Sequence, residues 1–145
     1  MIINYDILIR LLVSLGLGAF LGFEREIRKC PAGLRTHTLV CIGATVFALA
    51  SVAFSGPGVD ISRIAGQVVV GIGFIGAGVI FKEKDKIVGL TTASTLWIAA
   101  GIGIMSAIGE FFVGIVVTVI SIFVLSGGLW IEKYTLHKKK SRLKP

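Results

Sequence analysis

The chain has 145 residues, of which 54% are hydrophobic and 16% are charged, and its mean hydropathy is +0.91. A soluble domain contains about 45–50% apolar and about 25% charged residues, so a soluble core of this size could not bury the apolar side chains of this chain. The formal net charge of +7 would suit a nucleic-acid partner in a soluble protein. The basic residues lie between apolar segments, however, and we expect no nucleic-acid binding. The composition predicts a single integral membrane domain.

Five apolar segments follow one another, each close to the length of about 20 residues that crosses a bilayer as a helix. We predict an all-α membrane domain of residues 1–131, with spans at 7–23, 38–54, 64–81, 91–107 and 111–131, followed by a basic cytoplasmic tail at 132–145. The first segment contains Asp6 and lacks a basic n-region, which predicts a retained span and not a cleaved signal peptide. The break between the last two spans depends on Gly109 and Glu110, and one long kinked helix is the alternative.

The orientation follows from the positions of Lys and Arg. Thirteen of these 15 residues lie in segments 23–37 and 82–90 and in the tail. Because cytoplasmic segments carry an excess of basic residues, we predict an outer N-terminus and a cytoplasmic C-terminus, with only Arg10 and Arg63 toward the outer side. The tail could also hold anionic lipid, although a topology signal explains it sufficiently. Cys30 and Cys41 fall near the cytoplasmic side, where structural disulfides are rare.

The third apolar segment is rich in glycine. Residues 71–76 match GxGxxG, but no strand precedes the glycines and they lie inside an apolar run, so the context that a dinucleotide site requires is missing. In a membrane, small residues let neighbouring helices approach closely. The segment therefore predicts a central span packed between other helices. The predicted packing residues are Gly66, Gly71, Gly73, Gly76 and Gly78.

Polar residues are predicted to gather at the outer ends of the first and third spans. These residues are Asp6, Arg10, Asp60, Arg63 and Gln67. Asp6 and Arg10 are spaced to pair on one helix face, and Asp60 could cap the third span. The cluster could be a set of structural ion pairs near the interface or an entry site for an ion, because charges inside a membrane usually have a function.

A second polar cluster is predicted on the cytoplasmic side. Its members are Glu24, Arg25, Glu26, Arg35, His37, Thr91 and Thr92. The carboxylates of Glu24 and Glu26 are ligands of the kind that Mg²⁺ takes, and hydroxyls at a helix N-terminus favour an anion. An ionic lock between spans is the alternative, because buried charges are usually paired. We identify no nucleophile with an adjacent base and expect no enzymatic activity.

Several sequence motifs occur in one order over residues 15–105. They are Gly22-Phe-Glu-Arg-Glu26, Pro31-Ala-Gly-Leu-Arg-Thr-His37, Arg63-Ile-Ala, Gln67-Val-Val, Gly71-Ile-Gly-Phe-Ile-Gly-Ala-Gly78, Gly89-Leu-Thr-Thr-Ala93 and Leu96-Trp97. Together they resemble the MgtC/SapB family of bacterial inner-membrane proteins. The resemblance implies a multi-span plasma-membrane protein connected with magnesium homeostasis and, in pathogens, with survival inside host cells. The family resembles regulators that act on membrane partners, including ATP synthase for some members. Longer members carry a cytosolic C-terminal domain, which we expect to be missing here because the sequence stops soon after the fifth predicted span.

Two hypotheses remain from the sequence. In the first, the chain supports magnesium homeostasis as a homodimer or higher homo-oligomer that acts on another inner-membrane protein or on lipid. In the second, it is a transporter or channel for Mg²⁺ or another small ion, lined by the polar face of the first span and by residues 71–78.

Overall fold

A computed structural model describes residues 5–54 and 56–141, and the surroundings of side chains as far as residue 128. This part of the chain is mostly helical. The helices are α1 (Tyr5–Ile27), α2 (Leu34–Ala53), α3 (Arg63–Gly78), α4 (Leu90–Ala107) and α5 (Phe111–Ser141). Two short strands, β1 (Phe81–Glu83) and β2 (Lys86–Val88), form an antiparallel hairpin in which Lys82 pairs with Ile87.

Within the described residues, four helices are long and apolar enough to cross a membrane: α1, α2, α4 and the Phe111–Gly128 part of α5. Helix α3 has 16 residues and is shorter than the predicted third span. The prediction extended that span to residue 81, whereas the chain leaves the helix after Gly78 and Phe81 begins the hairpin. The apolar run did not reveal this hairpin, because Ile80 and Phe81 are as hydrophobic as the helix that precedes them. Of the predicted tail, residues 132–141 continue α5, and residues 142–145 lie outside the described residues.

The break between the last two predicted spans is present. Helix α4 ends at Ala107 and α5 begins at Phe111. Between them Gly109 has a φ of +84°, a backbone conformation that glycine adopts without steric cost. The Glu110 N–H donates to the Met105 carbonyl over 2.9 Å. The chain therefore turns sharply here, and the alternative of one kinked helix is wrong.

Helix α4, and not α3, is the central element. Nine residues of α4 are buried, including Leu96, Ala99 and Ile102. In α3 only Ile72 and Gly76 are buried. The prediction of a central third span was therefore wrong. The buried positions of α4 are mostly small or apolar residues, so that several neighbours pack closely around it.

Helix α3 returns the chain from one end of the bundle to the other. His37, near the start of α2, contacts Thr95, near the start of α4, so both helices begin at the same end. The last turn of α2 lies at the opposite end, where the Ser51 hydroxyl donates to the Ile61 carbonyl just before α3. Because α4 begins where α2 began, α3 must lead back across the bundle.

Close helix packing depends on glycines other than those of α3. A Cβ atom at Gly18 of α1 would lie 2.7 Å from the Cβ of Cys41, and one at Gly22 would lie 2.8 Å from the Cα of Leu34. A Cβ at Gly103 of α4 would overlap the Cys41 carbonyl. These three glycines allow α1 and α4 to approach the backbone of α2.

Of the predicted packing glycines, Gly76 alone meets another helix among the described residues, since a Cβ there would lie 3.6 Å from the Cβ of Ala93. The other four have no neighbouring atom within 4 Å in that part of the chain; they are Gly66, Gly71, Gly73 and Gly78. Within one chain these four glycines do not pack helices together. Their packing against another chain stays a prediction.

Candidate functional site: two polar ends and a buried polar contact

At the end of the bundle that is predicted to lie outside, Arg10 connects α1 to the end of α4. Its Nε lies 2.8 Å from Asp6 Oδ2, an ion-pair contact that is not aligned as a hydrogen bond. Its terminal NH1 donates to the Ala107 carbonyl, one of the C-terminal carbonyls that a helix leaves without a partner of its own. The predicted pairing of Asp6 with Arg10 is thus present, and it also caps α4.

The second outer group, Asp60, organises the turn before α3. Its Oδ1 accepts hydrogen bonds from the Ser62 hydroxyl over 2.7 Å and from the Ser62 N–H over 2.9 Å. These hydrogen bonds, aided by the positive charge of Arg63, lower the pKa of the exposed Asp60 carboxyl below its ordinary value. Asp60, Arg63 and Gln67 line a cavity of about 450 Å³ beside Ser51. Among the described residues, no ion pair joins this group to Asp6 and Arg10. The single outer network that the sequence suggested is therefore two separate groups.

A buried polar contact joins three helices midway between the ends. The Thr45 hydroxyl lies 2.7 Å from Ser14 Oγ and 2.9 Å from the Gly103 carbonyl oxygen. Thr45 has one hydroxyl hydrogen, which it donates to one of these two acceptors at a time. Ser14 Oγ also lies 3.3 Å from Cys41 Sγ. Thr45 and Cys41 were not among the predicted site residues. The available signal was their four-residue spacing on α2, which faces the small residues of α1.

His37 is fully buried between α2 and α4. Its Nδ1 lies 2.9 Å from the Gly33 carbonyl oxygen, which can only accept, so Nδ1 carries a proton. Its Nε2 lies 2.9 Å from Thr95 Oγ1, which is 2.8 Å from the Thr92 carbonyl oxygen. Both ring nitrogens therefore have protein partners. The imidazole joins the two helix beginnings and offers no free nitrogen to a metal.

The two carboxylates of the cytoplasmic cluster have different partners. Glu24 Oε2 lies 2.6 Å from Arg25 Nε, and Glu24 Oε1 accepts from Arg28 Nε. Glu26 Oε2 accepts from the Leu34 N–H over 3.0 Å and so satisfies the first turn of α2, where Gly33 provides no side-chain cap. Residues two positions apart on a helix do not face each other. The structure thus gives the two carboxylates separate protein partners, and their role as a metal site stays a prediction.

A cavity of about 1250 Å³ lies at this end of the bundle. It is lined by Glu24, Arg25, Arg28, Thr91, Thr92 and Ser126, among others. The two arginines outweigh the single carboxylate, and the N-terminus of α4 adds positive potential. Arg35 lines a different surface, between α2 and α3. Among the described residues, no three His, Cys, Asp or Glu side chains are close enough to hold a metal ion. The arginines beside Glu24 compete with a cation for its carboxylate oxygens.

Among the described residues, α4 and the three other long apolar helices that pack around it carry their charged groups at the two ends, which defines a multi-helix membrane protein. A model of the MgtC family matches residues 11–134, and the chain belongs to that family. The chain is 47% identical over 118 residues to Protein MgtC of Salmonella typhimurium (strain 14028s / SGSC 2262), which covers 80% of this chain and 49% of that protein. It is also 47% identical over 108 residues to Protein MgtC of Brucella abortus (strain 2308), covering 74% of this chain and 45% of that protein.

The chain thus spans about half the length of the curated relatives that it matches. No solved structure matches it.

Proposed function

We propose that this protein supports magnesium homeostasis in the bacterial plasma membrane by acting on another membrane protein, without conducting Mg²⁺ and without enzymatic activity. The observation that carries the proposal is the use of its carboxylates. Glu24 is held by two arginines and Glu26 caps α2. A Mg²⁺ ion loses its hydration shell reluctantly and is usually held through one or two free carboxylates, which this arrangement does not offer.

The packing between the two polar ends supports the same proposal. Gly18 and Gly103 bring α1 and α4 against Cys41 of α2. The buried hydroxyls of Ser14 and Thr45 between them are already hydrogen-bonded within the protein. A path for a hydrated ion through this contact would require the three helices to separate.

The exposed face of α3 is the proposed contact surface for a partner. Phe74 is 86% exposed and Val70 is 70% exposed. Gly66 and Gly73 on the same helix have open space beside them among the described residues. Because small residues allow close helix approach in a membrane, this face suits another membrane helix, either from a second copy of the chain or from a different protein.

The proposal includes five spans, with the N-terminus outside. The return of the chain through α3 and the position of the hairpin lysines support it. Helix α3 is about 24 Å long from its 16 residues at about 1.5 Å each, and a short helix is accommodated by local thinning of the bilayer. Cysteine labelling from each side of the membrane, with cysteines placed at Gly58 and Lys84, tests this topology; labelling of both positions from the same side would contradict it.

Direct transport is the second candidate. It is favoured by the two polar cavities at opposite ends of the bundle, one beside Arg25 and the other beside Asp60. Mg²⁺ uptake by proteoliposomes distinguishes the two functions. We expect wild type, Glu24→Gln and Asp60→Asn to match empty liposomes. Uptake by the wild type that both substitutions abolish would refute the regulator proposal and establish a transporter.

The α3 contact surface has its own test. Cross-linking in intact membranes should recover dimers or larger species of the wild type. Gly73→Leu should reduce these species, because its side chain would occupy the proposed contact. Gly16→Leu is the matched control, since Gly16 also has open space but lies on α1. Recovery of monomer alone from the wild type, with no cross-linked partner of another kind, would remove the support for this surface.

A further inference from the structure

A long apolar groove runs between α2 and α3. It has a volume of about 680 Å³. Leu39 and Phe47 of α2 form one wall, and Val68 and Ile75 of α3 form the other. Ala44 and Ala100 lie deeper, where their small side chains leave the groove open.

Two glycines keep this groove empty of protein. Gly43 and Gly71 both line it, and neither has any atom within 4 Å of the position that a Cβ would occupy. A larger residue at either position would place its side chain in the groove. The groove is therefore a property of these two residues and not merely of the distance between helices.

The ends of the groove differ in charge. Arg35 lines one end, is exposed, and pairs with no acidic side chain among the described residues. The hairpin that follows α3 at the same end carries Lys82, Lys84 and Lys86 together with Glu83 and Asp85, all exposed, so that it adds a net charge of +1. The other end is lined by Gln67 and Ile64, which carry no charge.

The dimensions agree with those of a lipid chain. From Arg35 to Phe47 the groove follows α2 for 12 residues, which is about 18 Å at about 1.5 Å per residue. One leaflet contributes about 15 Å to a hydrocarbon core of about 30 Å. A headgroup at Arg35 would thus lie at the membrane surface, with its acyl chain inside the groove.

We propose that this groove is a binding site for an anionic phospholipid, with the phosphate on Arg35 and one acyl chain lying over Gly43 and Gly71. The basic end supplies charge complementarity, and the apolar walls exclude a polar occupant. The site does not depend on the proposed function, because a protein that transported Mg²⁺ itself could hold the same lipid.

Native mass spectrometry of protein released from nanodiscs containing equal amounts of phosphatidylglycerol and phosphatidylethanolamine tests the proposal. We expect wild type to retain phosphatidylglycerol. Gly71→Leu should lose it, because leucine fills the groove, whereas Gly16→Leu should retain it. Gly16 is the matched control, since it has equally open surroundings, lies on α1 and does not line the groove. Circular dichroism checks that both variants keep their helix content.

The headgroup has a separate readout. Arg35→Gln should reduce the preference for phosphatidylglycerol by about fivefold, the effect of one basic residue on anionic-lipid binding. Arg63→Gln, at the opposite end of α3, should leave it unchanged. Equal lipid retention by Gly71→Leu and Gly16→Leu would overturn the proposal. The proposal would also be overturned if the wild type were a dimer without bound lipid and Gly71→Leu were a monomer. A second copy of the chain would then occupy the groove.

Discussion

Gly18→Ala, compared with Gly16→Ala, tests the packing of α1 against α2. The two glycines lie two residues apart on the same helix. A Cβ at Gly18 would lie 2.7 Å from Cys41 Cβ and 3.2 Å from both the His37 carbonyl oxygen and Thr38 Cα. At Gly16 nothing lies within 4 Å. None of the atoms facing Gly18 can rotate away, because they belong to the α2 backbone or are attached directly to it.

The magnitude follows from this contact distance. Two carbon atoms are in favourable contact at about 3.5–4.0 Å, so the new methyl group is too close by about 1 Å and α1 must move away from α2. Overpacking of this kind costs about 1–3 kcal/mol. The helix propensity gained when alanine replaces glycine, about 1 kcal/mol in water, is common to both variants. We expect Gly18→Ala to be less stable than Gly16→Ala by about 1–3 kcal/mol.

Equilibrium unfolding in mixed micelles, followed by the combined fluorescence of Trp97 and Trp130, measures this difference. Both variants must first show the same helix content by circular dichroism. A Gly18→Ala variant as stable as Gly16→Ala would refute the close α1–α2 contact, and with it the argument that no ion path crosses this part of the bundle.

Three further predictions concern polar contacts. Glu26→Ala should lower the free energy of unfolding by about 0.5–2 kcal/mol through loss of the α2 cap. Glu26→Gln keeps an oxygen that can accept the hydrogen bond, so it should lower this free energy less. An equal decrease for both variants would contradict the cap. Thr45→Val should lower the free energy of unfolding by about 1–3 kcal/mol, because its buried partners lose their hydrogen bond. Thr38→Val should lower it less, because the Thr38 hydroxyl bonds to the Leu34 carbonyl of its own helix. A larger loss for Thr38→Val would refute the role of Thr45. The lowered pKa of the Asp60 carboxyl stabilises the folded state above its ordinary pKa of about 3.9, and this contribution is lost as the pH falls through the folded-state pKa. Stability measured from pH 6 to pH 3 should therefore fall less for Asp60→Asn, and identical acid dependence would contradict this assignment.

Much of the helical architecture follows from hydrophobicity along the chain. The apolar segments of α1, α2, α4 and α5 are long enough to cross a bilayer, and Gly109 with Glu110 correctly indicates the turn between the last two helices. These features depend on residues that are neighbours in sequence. The spacing of Asp6 and Arg10 correctly predicts their ion pair for the same reason.

The partners of individual polar residues were harder to predict from the sequence than the helices were. Glu24 and Glu26 are close in sequence, which suggested a shared ion. In the fold Glu24 faces Arg25 and Arg28, while Glu26 reaches the start of α2. A helix turns by about 100° per residue, so carboxylates at this spacing point in different directions. Which partner each one meets depends on the helices that pack beside it.

The glycines also show the difference between what the sequence predicts and what the tertiary structure decides. The sequence alone determined that this chain is a helical membrane protein, because its hydropathy and the lengths of its apolar segments are local properties. It did not determine which glycines pack. The glycine-rich α3 lies at the periphery, whereas Gly18, Gly22 and Gly103 meet α2. Only the tertiary structure decided this, because a glycine permits close approach but the choice of approaching helix is set by the packing of the whole bundle.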